Sequence, residues 1–241
     1  ERNLSFDLRD FDETLPGPFE WDVARLVASI VVLARTYGVR ADRAESAVAA
    51  CLCAYRERMV GYANARWLDI WYDLIAVDQF LDVFAEPDKI RAAAHIERKA
   101  RKRTHRGAFR KLTEHRGGHL RITEDPPIRQ HRDDGLAEEL FAAYHDSLPD
   151  DRRHLMDRFA LVDTVRQVVG VGSVGMRVHL VLLEGRDGKD PLFLQIKQAG
   201  SSVYEPWCGP SRHDNHGRRV VEGKRLVQSA TDIFVGWTAG R

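Results

Sequence analysis

Residues 168–177 read Val-Val-Gly-Val-Gly-Ser-Val-Gly-Met-Arg and stand between two apolar runs. The residues from Arg177 to Glu184 are rich in β-branched and aliphatic side chains and lack a polar helical face, so they predict a strand. The whole pattern therefore predicts a strand, a glycine turn and a returning strand. Backbone N–H groups at glycines can approach phosphate oxygens where side chains would block them. The candidate cofactor-binding residues of this turn are Gly170, Gly172, Ser173 and Gly175.

The same glycine spacing also occurs in dinucleotide sites, where the third glycine opens a helix. Here a strand is expected after the third glycine. Asp190 lies at the distance of a ribose-binding acid, but its surroundings are typical of a turn. Both observations disfavour a dinucleotide site. A bulged glycine hairpin without any ligand stays an open alternative.

Lys197 ends a short apolar run, residues 191–196, that predicts a third strand. Alternation places Lys197 on the face of Phe193 and Gln195, opposite the aliphatic residues. Because burial of an unpaired charge is costly, we expect this lysine to be buried with partners, namely a nucleotide phosphate and a carboxylate. The alternative is a lysine on an edge strand, where its charge discourages aggregation.

The carboxylate is expected to come from a helix that follows. Glu222 lies near the middle of a helix predicted over residues 217–229, and Glu205 is the nearer alternative. In phosphoryl-transfer sites of the kinase type, a lysine contacts the phosphates and a glutamate orients that lysine. Lys197 and Glu222 are therefore the candidate catalytic pair.

An acidic segment occupies the start of the chain, where residues 4–13 read Leu-Ser-Phe-Asp-Leu-Arg-Asp-Phe-Asp-Glu. The alternation of its first half predicts a strand that runs into a loop dense in carboxylates. Magnesium prefers oxygen ligands and retains water, so one or two carboxylates together with substrate phosphates are sufficient. Asp10 and Asp12 are the candidate metal ligands, with Asp7 as a further or alternative ligand. A solvated acidic loop or a helix N-cap is the alternative.

These segments resemble a known bacterial family. Residues 6–22, 169–175, 195–197 and 219–223 are similar to domain of unknown function 2252 (DUF2252), and the resemblance spans essentially the whole chain. Members of that family resemble the protein-kinase-like and aminoglycoside-phosphotransferase-like group. The resemblance implies a site for ATP and magnesium, in which the glycine loop covers the phosphates and Lys197 contacts them.

The family pattern also implies a Gly-Asp-x-His-x-x-Asn segment ahead of the acidic strand, which would supply the catalytic base and a metal-binding asparagine. This sequence opens at Glu1 without that segment and stops at Arg241, so we expect a fragment truncated at both ends. The metal-loop motif precedes the glycine loop, which is the reverse of the order in protein kinases. The expected fold is therefore kinase-like in permuted chain order.

The expected fold class is α+β, with a large helical part and a smaller antiparallel sheet. Residues 1–158 are expected to form the acidic strand and a large-lobe-like helical region, and residues 159–241 the glycine-loop sheet with one helix. Apolar periodicity predicts a mostly buried helix over residues 23–37. Asp42 with Glu45 suggests a capping box for a second helix. Aromatic and aliphatic residues between Trp67 and Phe80 are expected to pack in the core as a third helix.

Composition fits a globular protein of the cytoplasm. The net charge of +1 indicates no polyanionic partner. The three cysteines, Cys51, Cys53 and Cys208, are expected to be reduced and mostly buried. No apolar stretch is long enough to cross a membrane. The basic stretch at residues 97–116 is expected to be a solvated helix face, with binding of nucleic acid as the alternative.

The expected function is that of an ATP-dependent phosphotransferase whose phosphate acceptor the sequence does not name. A catalytically inactive nucleotide-binding or interaction module shares every motif except the base. A basic nucleic-acid-binding protein is the second alternative. The sequence also leaves the oligomeric state open.

Overall fold

The structure is a computed structural model that describes residues 5–82, 84–102, 105–132, 135–170, 175–186 and 190–239. Two of the predicted cofactor-binding residues, Gly172 and Ser173, lie outside the described residues. The elements of the described residues are, in chain order, β1 (Ser5–Phe6), α1 (Phe19–Thr36), α2 (Ala41–Asn64), α3 (Trp67–Trp71), β2 (Ile75–Ala76), α4 (Val77–Leu81), α5 (Asp88–Lys102), α6 (His105–Leu112), β3 (Thr113–Arg116), β4 (His119–Ile122), β5 (Arg129–Gln130), α7 (Leu136–His145), α8 (Asp150–Met156), β6 (Ala160–Gln167), β7 (Val178–Glu184), β8 (Pro191–Lys197), α9 (Glu205–Cys208) and α10 (His216–Val227). The α+β prediction is confirmed.

A four-stranded antiparallel sheet in the order β5-β6-β7-β8 forms the centre of the fold. One of its two inner strands, β7, is buried over six of its seven residues. Side chains alternate between the two faces, as a strand requires. Val181 and Leu183 belong to one core cluster, while Leu180 and Leu182 belong to the other.

Different elements pack against the two faces of the sheet. One face packs against α7 and α8 through Phe141, Tyr144 and Met156. The other packs against α6 and the β3–β4 hairpin through Phe109, Leu112 and Ile122. In β8, Leu192 contributes to the first cluster and Phe193 to the second, so the predicted alternation of this strand is confirmed.

The glycine segment connects two antiparallel strands, as predicted. β6 ends at Gln167 and β7 begins at Val178, and the strands pair from Ala160 with Glu184 to Arg166 with His179. Gly170 and Gly175 have φ values of 67° and 90°, in the left-handed region that favours glycine. Because a strand and not a helix follows the third glycine, the feature that defines a dinucleotide site is missing here.

The long helix predicted near the start of the chain forms as α1, but the prediction that it is mostly buried is wrong. None of its residues is buried, and Leu26 and Leu33 are more than half exposed, at 54% and 58%. It packs against α2, which covers only part of its apolar surface. Apolar periodicity predicts that a helix has an apolar face. It does not predict how much of that face another element covers.

Two further helical predictions need correction. α2 begins at Ala41 with Arg40 at the N-cap, and no side chain caps it. Asp42 is therefore inside the first turn and pairs with Arg40, so the capping box does not form. The segment 67–80 is broken into α3, β2 and α4. Trp67 is 87% exposed, so the prediction that its aromatic residues pack in the core is wrong for this tryptophan.

Several smaller expectations are resolved by the fold. Gly117-Gly118 is the tight turn of the β3–β4 hairpin, where both φ values are positive. The sheet includes one strand, β5, that precedes residue 159 in the chain.

The cysteines are free as expected, but none is buried. Within the described ranges, no helix combines the length and apolar character needed to span a bilayer.

The basic stretch forms α5, α6 and the start of the β3–β4 hairpin. Where its side chains are described, Arg98, Lys99, Arg110 and Lys111 are exposed, while Phe109 packs on the sheet. The expectation of a solvated helix face is confirmed for these residues.

Candidate functional site

Lys197 lies at the glycine-turn end of the sheet. It pairs with Val178, the first residue of β7 after the turn. The expectation that Lys197 is buried is wrong, because the residue is exposed at the end of β8, which forms one edge of the described sheet. In the described part of the chain it has no ion-pair partner. This placement also agrees with the alternative interpretation of an edge-strand lysine.

A cavity of about 890 Å³ opens beside Lys197. Its walls are the edge strand β8, the helix α7, the start of α10 and residues 232–239. The lysine and arginine side chains that line it are Arg177, Lys197 and Lys224. Asp214 and Asp232 line it as well, so its charge is mixed with a positive excess among the lysines, arginines and carboxylates.

The N-terminus of α10 belongs to the same wall, since Asn215, His216 and Gly217 line the cavity. Asn215 caps the helix by accepting a hydrogen bond from the N–H of Arg218 at 2.9 Å. Its amide donates to the carbonyl of Thr238 at 3.2 Å. The positive end of a helix dipole favours anionic groups nearby, so the helix start and the three cations act in the same direction.

Residues 232–239 form a strap that closes one side of the cavity. Tyr144 of α7 donates its hydroxyl proton to the carbonyl of Phe234. Arg225 of α10 donates to the carbonyl of Val235 at 3.0 Å and also stacks over the Trp237 ring. The strap is therefore tied to two helices, and an aromatic ring stands in the cavity wall.

Glu222 lies on α10, as predicted, but it does not contact Lys197. Its carboxylate lies 3.7 Å from the guanidinium of Arg225. Glu205, the alternative partner, opens α9 and accepts a hydrogen bond from the N–H of Ser202 at 3.3 Å. Neither carboxylate forms an ion pair with Lys197 within the described residues.

The acidic segment follows β1, as expected, and its three aspartates differ in their surroundings. Asp7 accepts hydrogen bonds from the N–H and the hydroxyl of Ser229, at 3.0 and 2.9 Å. Asp10 is exposed and has a φ of 65°, an unusual backbone conformation for a residue other than glycine. Asp12 is exposed too. In the described part of the chain, neither Asp10 nor Asp12 has a hydrogen-bond partner for its carboxylate.

Asp7 lines a second cavity, of about 990 Å³, with apolar walls from Phe6, Trp67 and Trp71. Lys197 does not line this second cavity, and Asp10 and Asp12 line neither of the two. Asp232 lines both, and α10 contributes Lys224 to the first and Arg225 to the second. The two cavities are therefore neighbours that share one helix.

The acidic segment and the loop after the lysine strand do come together, and both contact α10. Gln228 at its end donates to the carbonyl of Leu8 at 2.6 Å. Gly223 in its middle lies against Thr14, so close that a Cβ there would be 2.4 Å from the threonine Oγ1. The loop after β8 joins the same contact, since the hydroxyl of Ser202 donates to the carbonyl of Glu13 at 2.8 Å.

Sequence reasoning missed several residues of this region. Arg177 and Lys224 line the cavity, and Arg219 is buried beneath the acidic segment. Lys224 lies on the turn of α10 after Val220 and Val221, so its helical spacing was a usable signal. Arg219 lies in the segment 219–223 that resembles the family, but nothing in that segment indicated its burial, because an arginine in a helix is usually solvated.

The described side chains do not form a metal site by themselves. Over the residues that the structure describes, no group of three or more histidine, cysteine or acidic side chains is arranged to hold a metal ion. A magnesium ion that is bound partly through nucleotide phosphates needs only one or two carboxylates. Asp10 and Asp12 are the two described carboxylates of the acidic segment that have no protein partner.

Comparison with known proteins identifies a family. The model of the family described as "Uncharacterized protein conserved in bacteria (DUF2252)" matches residues 1–241. Neither the curated proteins nor the solved structures include a significant match. The matched range includes the glycine segment, the strand ending in Lys197, the helix α10 and the acidic segment. The chain therefore belongs to the DUF2252 family.

Proposed function

We propose that this protein is an ATP-dependent phosphotransferase of kinase-like architecture in permuted chain order. The observation that carries the proposal is the position of Lys197 at the turn end of the sheet, on the wall of a cavity of about 890 Å³. That volume is in the range of small-molecule sites. In this proposal ATP occupies the cavity, and its phosphates lie toward Lys197 and the glycine turn.

The charges of the cavity support a ligand that carries phosphate. Arg177, Lys197 and Lys224 offer cationic donors, and the capped start of α10 adds the positive end of its dipole. Lys197 is free to pair with a phosphate because no protein carboxylate holds it within the described residues. Transfer of a phosphoryl group depends chiefly on positioning and on neutralising charge, and this lining supplies the latter.

Magnesium would be held through the acidic segment. Asp10 and Asp12 are the proposed ligands, because their carboxylates are exposed and unpaired among the described residues. Asp7 has a supporting role, since Ser229 already occupies one of its oxygens. Glu222 would orient Lys197 only after leaving Arg225, its present partner at 3.7 Å.

The test is a thermal shift with Mg-ATP on the wild type, Lys197→Ala and Asp10→Ala. Saturation at about 100 times Kd stabilises a protein by roughly 2.7 kcal/mol, so the wild-type Tm should rise measurably. Lys197→Ala should lose most of the shift, and Asp10→Ala should lose the part that needs magnesium. The exposed Lys99→Ala serves as the matched control. The proposal fails if ATP leaves the wild-type Tm unchanged.

A transfer assay then separates an enzyme from a binding module. Incubation with ATP labelled at the γ-phosphate reports hydrolysis or transfer to any acceptor present. A nucleotide-dependent shift without transfer would identify a catalytically inactive nucleotide-binding module. Binding to nucleic acid that weakens steeply with salt and ignores Lys197→Ala would identify the basic helices as the functional surface instead.

A further inference from the structure

Arg219 is a buried charged side chain to which the proposed reaction gives no role. It is 3% exposed. Burying a guanidinium is costly unless its N–H groups are satisfied. Within the described residues no carboxylate lies within ion-pair distance of it. Its two Nη atoms donate to backbone carbonyls instead, while its buried Nε has no hydrogen-bond partner among the described residues.

Three carbonyls from two distant segments accept those hydrogen bonds. Nη1 donates to Thr14 O at 2.6 Å, and Nη2 donates to Asp12 O at 2.7 Å. Nη2 also donates to Gly200 O at 3.0 Å. Gly200 lies three residues after Lys197. One planar group therefore joins the acidic segment to the loop that leaves the lysine strand.

Neighbouring contacts hold the same segment on both sides. Leu8 O accepts from the amide of Gln228 at 2.6 Å. Glu13 accepts at its carboxylate from the N–H of Val203 at 2.8 Å. The backbone is thus tied before Asp10 and after it, while the carboxylates of Asp10 and Asp12 have no partner in the described part of the chain. A fixed backbone with unpaired carboxylates is what a preorganised cation site requires.

We infer that Arg219 is a positioning residue that holds the acidic segment in register with the loop after Lys197. Asp10 and Asp12 do not line the nucleotide cavity, so in this arrangement they would reach a divalent cation on the phosphates from outside the cavity wall. This inference rests on the proposed function. A lysine cannot replace the arginine here, because a single ammonium lacks the planar fork that reaches carbonyls of two segments at once.

The experiment measures ATP affinity by calorimetry, first with EDTA and then with rising magnesium, on the wild type and Arg219→Lys. We expect the affinity in EDTA to stay within about twofold, because Arg219 does not line the cavity. The gain in affinity from magnesium should fall by at least about tenfold, the usual effect of removing the support of a metal ligand. Arg43→Lys, the same substitution at an exposed position of α2, is the control.

A milder variant covers the case in which Arg219→Lys does not fold. Ser202→Ala removes one hydrogen bond from the same segment, at Glu13 O, and should reduce the magnesium gain by a few fold. Hydrogen exchange of residues 7–14 should rise in both variants.

The outcomes separate the inference from the function on which it rests. If the wild type gains affinity from magnesium and the variants lose Tm while keeping the whole gain, Arg219 is only a structural support and the inference is overturned. If the wild type shows no gain from magnesium, the metal part of the proposed function fails, and the role assigned to Arg219 fails with it.

Discussion

Lys197 lies directly opposite Val178 in the antiparallel pairing of β7 and β8. Since Val178 begins β7 immediately after the glycine segment, this pairing brings the lysine to the turn end of the sheet. The residue is exposed and has no ion pair among the described residues. Lys197 is thus available to a ligand and contributes little to the stability of the fold.

The first prediction concerns that stability. Lys197→Ala should change the free energy of unfolding by less than about 0.5 kcal/mol, as is usual at exposed sites. Leu182→Ala, on the neighbouring strand at 0% exposure, should lower it by about 2–5 kcal/mol because a core cavity is left. Urea denaturation of both variants measures the difference. Equal losses in the two variants would show that Lys197 has a structural partner after all.

Gly223→Ala should destabilise the docking of the acidic segment. The added Cβ would lie 2.4 Å from Thr14 Oγ1, so the segment must shift, at a cost of about 1–3 kcal/mol. Gly61→Ala in α2 is the matched control, because nothing lies within 4 Å of its added Cβ. Alanine favours a helix over glycine by up to about 1 kcal/mol, so this control should be neutral or stabilising.

A double variant tests whether the contact with Thr14 causes the loss. Combining Gly223→Ala with Thr14→Gly removes the three threonine atoms that the new Cβ would meet. The double variant should be more stable than the sum of the single effects predicts, with a coupling of about 1 kcal/mol or more. Simple additivity in thermal unfolding would contradict the proposed clash.

The alkaline limit of stability should depend on Tyr144. Burial raises the pKa of this phenol above its ordinary range, and the nearby Asp232 carboxylate adds to the effect. The unfolded phenol titrates near about 10, so the stabilisation is complete below that pH. It is lost progressively as the pH rises from there toward the higher folded pKa.

Tyr144→Phe provides the measurement of that effect. The variant lacks the hydroxyl that donates to Phe234 O and should lose about 1–2 kcal/mol at neutral pH. Its unfolding free energy should then fall less steeply than that of the wild type between about pH 9 and 11. Parallel pH profiles for the two proteins would rule out Tyr144 as the source of the alkaline dependence.

Asp163 should be important for attaching the β3–β4 hairpin to the sheet. Its carboxylate accepts hydrogen bonds from the N–H of Ile122 at 2.6 Å and from His131 Nε2 at 2.9 Å. Asp163→Asn places an amide donor among these donors and should cost about 1–3 kcal/mol. Asp150→Asn, whose side chain is 98% exposed, should be neutral. Chemical denaturation that affects both variants equally would contradict this role.

The glycine hairpin and the lysine strand could be predicted because their signals are local. Alternation over 191–197 and the composition of residues 177–184 specify strands within a few residues. The exposure of α1 could not be predicted in the same way. Its apolar stripe is present in the sequence, but the amount that α2 covers depends on how two helices pack.

The candidate site was only partly predictable for a related reason. Lys197 and the acidic segment stand out by residue type and spacing. Arg219 looks like an ordinary solvated helix residue, since its partners Thr14 and Asp12 are 205 and 207 residues away in the chain. The i,i+3 spacing of Glu222 and Arg225 on α10 is a local signal for their pairing. Whether Glu222 reaches Lys197 depends on how β8 and α10 pack, which no local pattern contains.

Local order along the chain was therefore enough for β1, for the strands on either side of the glycine segment, for β8 and for the helices α1, α2 and α10, because hydrogen bonding and side-chain alternation act between near neighbours. It was also enough to mark the lysine and the aspartates as unusual. Tertiary packing alone decided that the lysine is exposed, that the aspartates Asp10 and Asp12 are unpaired among the described residues, and that one buried guanidinium ties their segment to the loop after β8. These properties arise from contacts between distant segments, whose energies depend on burial and geometry that exist only in the folded chain.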